Sequence, residues 1–183
     1  MIDSVKSVKS KITHTNNMTD FGPACEGRIN PNGEAFPKDV EMTIYKGVYV
    51  DTGHLLTTTE VDPVEAAKIF GKCNRRHGHR FYIYLAITGP VRGPSYMVIN
   101  LSAVKAKLLE IVNAADHNEL HHIIDFSTDD TREHRVPATS EHFAYWAYSK
   151  LAPYVKELNP DARISSIKVQ RGDDHGVEYR PPN

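Results

Sequence analysis

The sequence has few of the features that crosslink a fold or direct a chain to a membrane. Only two cysteines, Cys25 and Cys73, occur among 183 residues, so at most one disulfide bridge could form. No apolar run approaches the roughly 20 residues needed to cross a bilayer, and the first residues contain no apolar core of a secretory signal. We therefore expect free thiols, a cytoplasmic location and no association with membranes.

An excess of charge of either sign is also missing. The 22 basic and 23 acidic residues give a formal net charge of -1, which excludes the broad cationic surface that binds nucleic acid or anionic lipid. A small molecule is therefore the expected partner. Histidine, by contrast, is abundant at ten residues, and its side chain serves both metal binding and proton transfer near neutral pH.

The first forty residues differ from the rest of the chain. Residues 1–40 show no sustained hydrophobic periodicity and contain the turn-rich stretch FGPACEGRINPNGEAFP. We predict an irregular N-terminal extension here, followed by one domain over residues 41–183.

From residue 41 onward the hydrophobic periodicity predicts strands and amphipathic helices. The predicted elements are a strand over 41–54, a short helix over 61–70, a strand over 77–87, a brief extended segment over 96–101, a helix from the candidate N-cap Ser102 to about Ala114, a helix from the candidate cap Thr139 to Leu158, and strands near 164–169 and 177–179. A long polar loop is expected over 115–139, with His121 and His122 as a solvated pair. The order indicates an α+β domain in which helices cover one face of a sheet.

Two histidines on the strand over 77–87 form a candidate metal site. His77 and His79 point to the same face of a strand, and Gly78 between them leaves the opposite face without a side chain. His54 has the inward parity of the preceding strand and is the candidate third ligand. Three imidazoles with an open fourth position are typical of catalytic zinc. An isolated His-x-His pair can also simply form a polar strand end.

Further polar residues could complete a reactive site. Cys73 lies shortly before His77 and close to three cations, which favour a thiolate, so it is a candidate ligand, base or nucleophile. A buried structural thiol is the alternative. Asp116 and His117 are an adjacent acid and imidazole that could carry a proton.

These residues carry a resemblance to a known family. The stretches FGKCNRRHGH, ITG, MVINL, ADHNEL and PATSE, with the upstream His54, occur in the same order as in the 6-pyruvoyltetrahydropterin and 6-carboxytetrahydropterin synthases. The match covers about residues 41–180. The CxxxHGH spacing resembles the bacterial carboxy branch, which serves queuosine synthesis, whereas FGKCN looks like the pyruvoyl branch of tetrahydrobiopterin synthesis.

The resemblance implies a fold, a cofactor and a reaction. The fold is the T-fold, an antiparallel four-stranded sheet with two helices on one face, which assembles into a barrel as a homotrimer or hexamer. Zinc is implied on His54, His77 and His79. Cys73 matches the catalytic cysteine, and Asp116 with His117 matches a proton-relay pair usually supplied across a subunit boundary. The implied reaction removes triphosphate from 7,8-dihydroneopterin triphosphate.

One position departs from the family pattern. The strand that resembles V-x-E-T, whose glutamate binds the donor edge of the pterin, here contains Arg171. A guanidinium has only donors and cannot replace that carboxylate. Thr139 and Glu141 of PATSE match a second substrate-binding segment, in which the Glu141 carboxylate would be a partial replacement. The alternatives are an outward-facing Arg171, a substrate with an acceptor or anionic group, and a non-catalytic binding protein.

Overall fold

The computed structural model describes residues 40–91, 95–124 and 136–182, which all belong to the unit Lys38–Asn183. The predictions for residues 1–39, including the free thiol of Cys25, lie outside the described residues.

One antiparallel sheet forms the centre of the described part of the domain. Its four strands, in the spatial order of the sequence, are β1 (Glu41–His54), β2 (His77–Pro90), β3 (Arg163–Arg171) and β4 (His175–Tyr179). β1 and β2 pair along their whole lengths, from Glu41 opposite Pro90 to His54 opposite His77. The predicted antiparallel four-stranded sheet is confirmed.

The helices lie in the connections between strands. They are α1 (Pro63–Phe70), followed by a 3-10 helix (Gly71–Asn74), then α2 (Leu101–Ala115), α3 (Leu120–Ile123) and α4 (Ser140–Leu158). Pro63 occupies the first turn of α1, as predicted, and the side chain of Asp62 caps that helix.

The core lies between one face of the sheet and the helices α2 and α4. Alternating strand residues meet the apolar stripes of these two helices; they include Val50, Phe81, Ile83, Leu85, Ile167 and Val169 from the sheet, Val104, Leu108 and Ile111 from α2, and Phe143, Ala147, Leu151 and Val155 from α4. The opposite face of the sheet exposes Tyr45, Tyr49 and Tyr84. The α+β prediction, with two helices on one face, is therefore confirmed.

Several local predictions were wrong. Residues 95–100 form turns and bends with a single bridge residue at Met97, in place of the predicted extended segment. Asn100, rather than Ser102, caps α2 because its Oδ1 accepts from the Ser102 amide at 2.9 Å. The loop after α2 contains the short helix α3. The end of the last helix at Leu158, in contrast, is confirmed.

No helix in the three described ranges is both long enough and apolar enough to cross a bilayer.

Candidate metal site and the adjacent cavity

Three imidazoles converge where β1 ends and β2 begins. The strand register places His54 directly opposite His77, with His79 opposite Thr52. Because side chains two residues apart share a face, all three rings lie on the inward face of the sheet. Their candidate ligand atoms all lie within 4.8 Å of one another, and the ring centroids are 4.3 to 5.1 Å apart. The sequence prediction therefore identified a real cluster.

Backbone carbonyls fix the orientation of two of these rings. The Nδ1 of His54 donates to the carbonyl oxygen of Ala138 at 3.0 Å, and the Nδ1 of His77 donates to the carbonyl oxygen of Arg75 at 2.6 Å. A carbonyl can only accept, so each Nδ1 carries a proton, and the Nε2 is the nitrogen whose lone pair is available whenever the ring is neutral. The Nε2 of His54 is buried and has no hydrogen-bond partner among the residues that the structure describes. A buried nitrogen with a free lone pair fits a metal ion, since burial without a partner is costly.

The protonation states of the cluster also suit a metal. Burial is the main cause that lowers the pKa of His54 below its ordinary value. Burial, followed by the charge of Arg171, lowers the pKa of His79 to about 4. Both rings are therefore neutral at pH 7, which is the form that ligates zinc.

Two glycines allow the strand ends to approach their neighbours closely. Gly53 and Gly78 are paired across β1 and β2. A Cβ on Gly78 would lie 3.3 Å from the carbonyl oxygen of Thr52, and one on Gly53 would lie 3.2 Å from the carboxylate of Glu119. The glycine between the two strand histidines therefore has a steric reason, which adds to the missing side chain noted in the sequence.

A cavity of about 510 Å³ opens beside the histidine cluster. Its lining consists of Lys72, Cys73, His77, His79, Arg171, Gly172, Asp174 and His175. Cys73 lies on the 3-10 helix, and its carbonyl oxygen accepts from the amide of Leu56 at 3.0 Å. The side chain of Asn74 also donates to the carbonyl of Leu56 at 2.9 Å. These two bonds hold the thiol segment against the chain that follows β1.

Arg171 faces the cavity rather than the opposite side of the sheet. It is the last residue of β3 and pairs with the inward-facing Phe81 of β2. Its Nη1 donates toward the Nε2 of His79 at 3.4 Å. The alternative in which Arg171 points outward is therefore wrong, and a cation stands at the wall of the candidate site.

The Asp116 and His117 pair lies elsewhere in the chain. The Nδ1 of His117 contacts the Oδ2 of Asp116 at 2.9 Å, and the His117 side chain is 84% exposed. Both residues are bonded to the backbone of Asp51 in β1, through the Asp116 Oδ1 at 3.1 Å and the His117 amide at 2.8 Å. The pair does not line the cavity beside Cys73. Its expected contribution across a subunit boundary stays a prediction.

Thr139 and Glu141 lie at the beginning of α4. The Thr139 hydroxyl accepts from the amide of His142 at 3.3 Å and caps the helix, while Glu141 is exposed in its first turn. Neither side chain lines the cavity. The neighbouring Ala138, which the sequence did not single out, contributes the carbonyl that orients His54.

The structure adds further polar residues that the sequence reading missed. Asp174 and His175 form a contact of 2.5 Å at the cavity wall. Their adjacency in the RGDDHG turn is the sequence feature that could have identified them.

His121 is not the solvated residue that was expected, because its side chain is only 6% exposed and its Nδ1 lies 3.3 Å from Glu119.

The chain is similar to known proteins. The family model of 6-pyruvoyl tetrahydropterin synthase matches residues 43–182. The human 6-pyruvoyl tetrahydrobiopterin synthase is 25% identical over 143 residues, which cover 76% of this chain and 92% of the human protein. The 6-carboxy-5,6,7,8-tetrahydropterin synthase of Bacillus subtilis (strain 168) is 27% identical over 136 residues, which cover 74% of this chain and 83% of that protein.

A solved structure shares the fold. The structure of Caenorhabditis elegans 6-pyruvoyl tetrahydropterin synthase matches with a TM-score of 0.66 at 22% identity, and the match covers 78% of this chain and 97% of that chain. The fold is therefore the T-fold that the resemblance implied. With a family model that spans nearly the whole described domain, the chain belongs to the 6-pyruvoyl tetrahydropterin synthase family.

Proposed function

We propose that this protein is a zinc-dependent carbon–oxygen lyase that releases triphosphate from 7,8-dihydroneopterin triphosphate. The observation that carries the proposal is the placement of Cys73 on the same cavity as two members of the three-histidine cluster. A thiol beside a metal site provides a proton acceptor where a bound substrate would be polarised. Membership of the family supports this reaction class.

The residues present fit zinc. His54, His77 and His79 offer three ring nitrogens, and three protein ligands leave a fourth position for substrate. Zinc bound there would act as a Lewis acid on the hydroxyl oxygens of the substrate side chain and so acidify the neighbouring C–H and O–H bonds. The carbonyls of Ala138 and Arg75 keep two of the rings in the ligating orientation.

The remaining steps are proton transfers by residues of the chain. Cys73 takes a proton from the carbon next to the one that carries the triphosphate. The electron pair of the broken C–H bond forms a double bond between these two carbons, and the carbon–oxygen bond breaks with its electron pair leaving on the triphosphate. His117, held by Asp116, exchanges protons with the substrate from a second subunit. We propose a homotrimer or hexamer for this reason, because the pair does not reach the cavity within one chain. A cytoplasmic location is proposed as well.

A direct assay tests the reaction. Protein loaded with one zinc per chain is incubated with 7,8-dihydroneopterin triphosphate, and triphosphate is measured by ion chromatography while the pterin product is identified by mass spectrometry. We expect triphosphate together with a pyruvoyl or carboxy pterin, which also assigns the branch. The absence of triphosphate from zinc-loaded protein rules out this substrate.

Arg171 favours a second candidate function. In this alternative the same histidines and Cys73 act on a compound that presents an acceptor or anionic group where a pterin presents hydrogen-bond donors. Arg171 lines the cavity, and a guanidinium can donate hydrogen bonds but cannot accept them. The Arg171→Glu variant distinguishes the two candidates. If the unmodified protein is inactive on the pterin and the variant is active, the cavity is adapted to another substrate. If only the unmodified protein is active, the pterin is its substrate.

A further inference from the structure

Two cationic side chains line the cavity beside the histidine cluster. Lys72 comes from the 3-10 helix, and Arg171 comes from the end of β3. The two therefore reach the cavity from different elements of the fold. The strand histidines His77 and His79 line the space as well, and these rings offer nitrogen lone pairs rather than negative charge.

The guanidinium of Arg171 has no carboxylate partner in the described part of the chain. Its hydrogen bond is the contact with His79 at 3.4 Å, and it forms no ion pair within the described ranges. Asp174 lines the same cavity, but its Oδ1 is bonded to the Nδ1 of His175 at 2.5 Å and it forms no direct ion pair with Arg171. The bond with His175 is the main cause that lowers the pKa of Asp174, and the charge of Arg171 contributes to the same lowering. Other arginines of the domain do have partners: Arg80 is bonded to Asp51, Arg163 to Glu41, and Arg180 to Glu178.

The position of Arg171 also conflicts with a cation on the histidines. A divalent ion on the Nε2 of His79 and a guanidinium within hydrogen-bond distance of that same nitrogen would repel each other. An oxyanion between them removes this repulsion, because it can ligate the metal through one oxygen and accept from the planar guanidinium through another. Lys72 adds a further positive charge to the same cavity.

We propose that the cavity binds an oxyanion of the substrate, a carboxylate or a phosphate, between Arg171 and the metal position. This inference rests on the proposed metal loading of the three histidines. It assigns Arg171 as the residue that selects an anionic group, and it specifies the class of compound for the second candidate function. It does not depend on any turnover of a pterin.

Isothermal titration calorimetry with simple anions tests the proposal. Zinc-loaded protein and metal-free protein are titrated with sodium acetate and with sodium phosphate, and the Arg171→Met variant is titrated in parallel. Arg163→Met is the matched control, because it removes the same charge from the other end of β3. Zinc content and the thermal unfolding midpoint are measured for each variant.

The expected result is one anion per chain on the zinc-loaded protein. Arg171→Met should weaken that affinity at least about tenfold, since hydrogen bonds between charged groups are the strong ones, and Arg163→Met should leave it unchanged. Removing zinc should also weaken it. Preference for acetate identifies a carboxylate site, and preference for phosphate identifies a phosphate site.

Two outcomes would overturn the proposal: neither anion binds the zinc-loaded protein, or Arg171→Met binds as tightly as the unmodified protein. If Arg171→Met does not fold, the Arg171→Lys variant replaces it, because lysine keeps the charge and lacks the planar guanidinium. An anion affinity of Arg171→Lys equal to that of the unmodified protein then overturns the proposed contact between the guanidinium and the oxyanion. Because calorimetry measures binding without turnover, failure here and failure of triphosphate release are separate results.

Discussion

The Nδ1 of His54 donates a hydrogen bond to the carbonyl oxygen of Ala138 at 3.0 Å, and this bond joins the end of β1 to the residue before the cap of α4. It aims the buried Nε2 of His54, which has no hydrogen-bond partner in the described part of the chain, toward His77 and His79. The helix layer therefore orients one member of a cluster whose other two members lie on β2.

The three histidines are expected to be individually necessary for metal binding. His54→Ala, His77→Ala and His79→Ala should each abolish stoichiometric zinc, because two ligands hold the ion far more weakly than three. Metal content is measured by mass spectrometry after dialysis against excess zinc and then buffer. The exposed His122 provides the control, and His122→Ala should keep full zinc. Full metal content in any of the first three variants would show that the ligand was assigned wrongly.

Cys73 is expected to be necessary for chemistry and dispensable for the fold. Cys73→Ala should lower the rate of triphosphate release by roughly a hundredfold or more, the usual contribution of a positioned acid or base. Zinc content and thermal stability should not change, since the side chain is only half-buried and its backbone carbonyl holds the segment in place. An unchanged rate would favour the non-catalytic binding protein, in which the thiol has no role.

Removing the guanidinium at position 171 is expected to tighten zinc binding in the absence of added anions. The positive charge lies beside His79 and contributes to the lowered pKa of that ring, so it disfavours a proton and a metal ion alike. Arg171→Met should therefore raise the zinc affinity severalfold, measured by competition with a chromophoric chelator. Arg163→Met, distant on the same strand, should leave it unchanged. Weaker zinc binding by Arg171→Met would contradict this account of the site.

Gly53 is expected to be coupled to Glu119. A Cβ at position 53 would lie 3.2 Å from the Glu119 carboxylate, so Gly53→Ala should lower the free energy of unfolding by about 1–3 kcal/mol. In a Glu119→Ala background the same substitution should cost much less, because the obstructing carboxylate is gone. Urea unfolding of the four proteins gives the coupling energy. Additive effects would show that the glycine is needed for another reason.

Much of the site could be predicted from local patterns in the sequence. Alternation along β1 and β2 placed His54, His77 and His79 on the buried face, because the period of a strand fixes which side chains share a face. The apolar spacing of α2 and α4 identified the helices that cover that face. The cap of α2 was misplaced because Asn100 and Ser102 are both good caps, and sequence alone does not choose between them.

Other features depended on contacts between distant segments. No local pattern predicts that the carbonyl of Ala138 lies beside His54, because every residue has a backbone carbonyl. No local pattern predicts the burial of His121 beside Glu119 either, because a buried and an exposed loop histidine have the same sequence.

By itself, the sequence determined the set of chemical groups, namely three imidazoles, a thiol and an arginine near the end of a strand. The tertiary structure decided which of them meet. The pairing of β3 with β2 turned Arg171 toward His79, and the position of Asp116 and His117 beside Asp51 kept that pair out of the cavity within one chain. Strand register and helix packing set these distances, because they fix the positions of residues far apart in the chain.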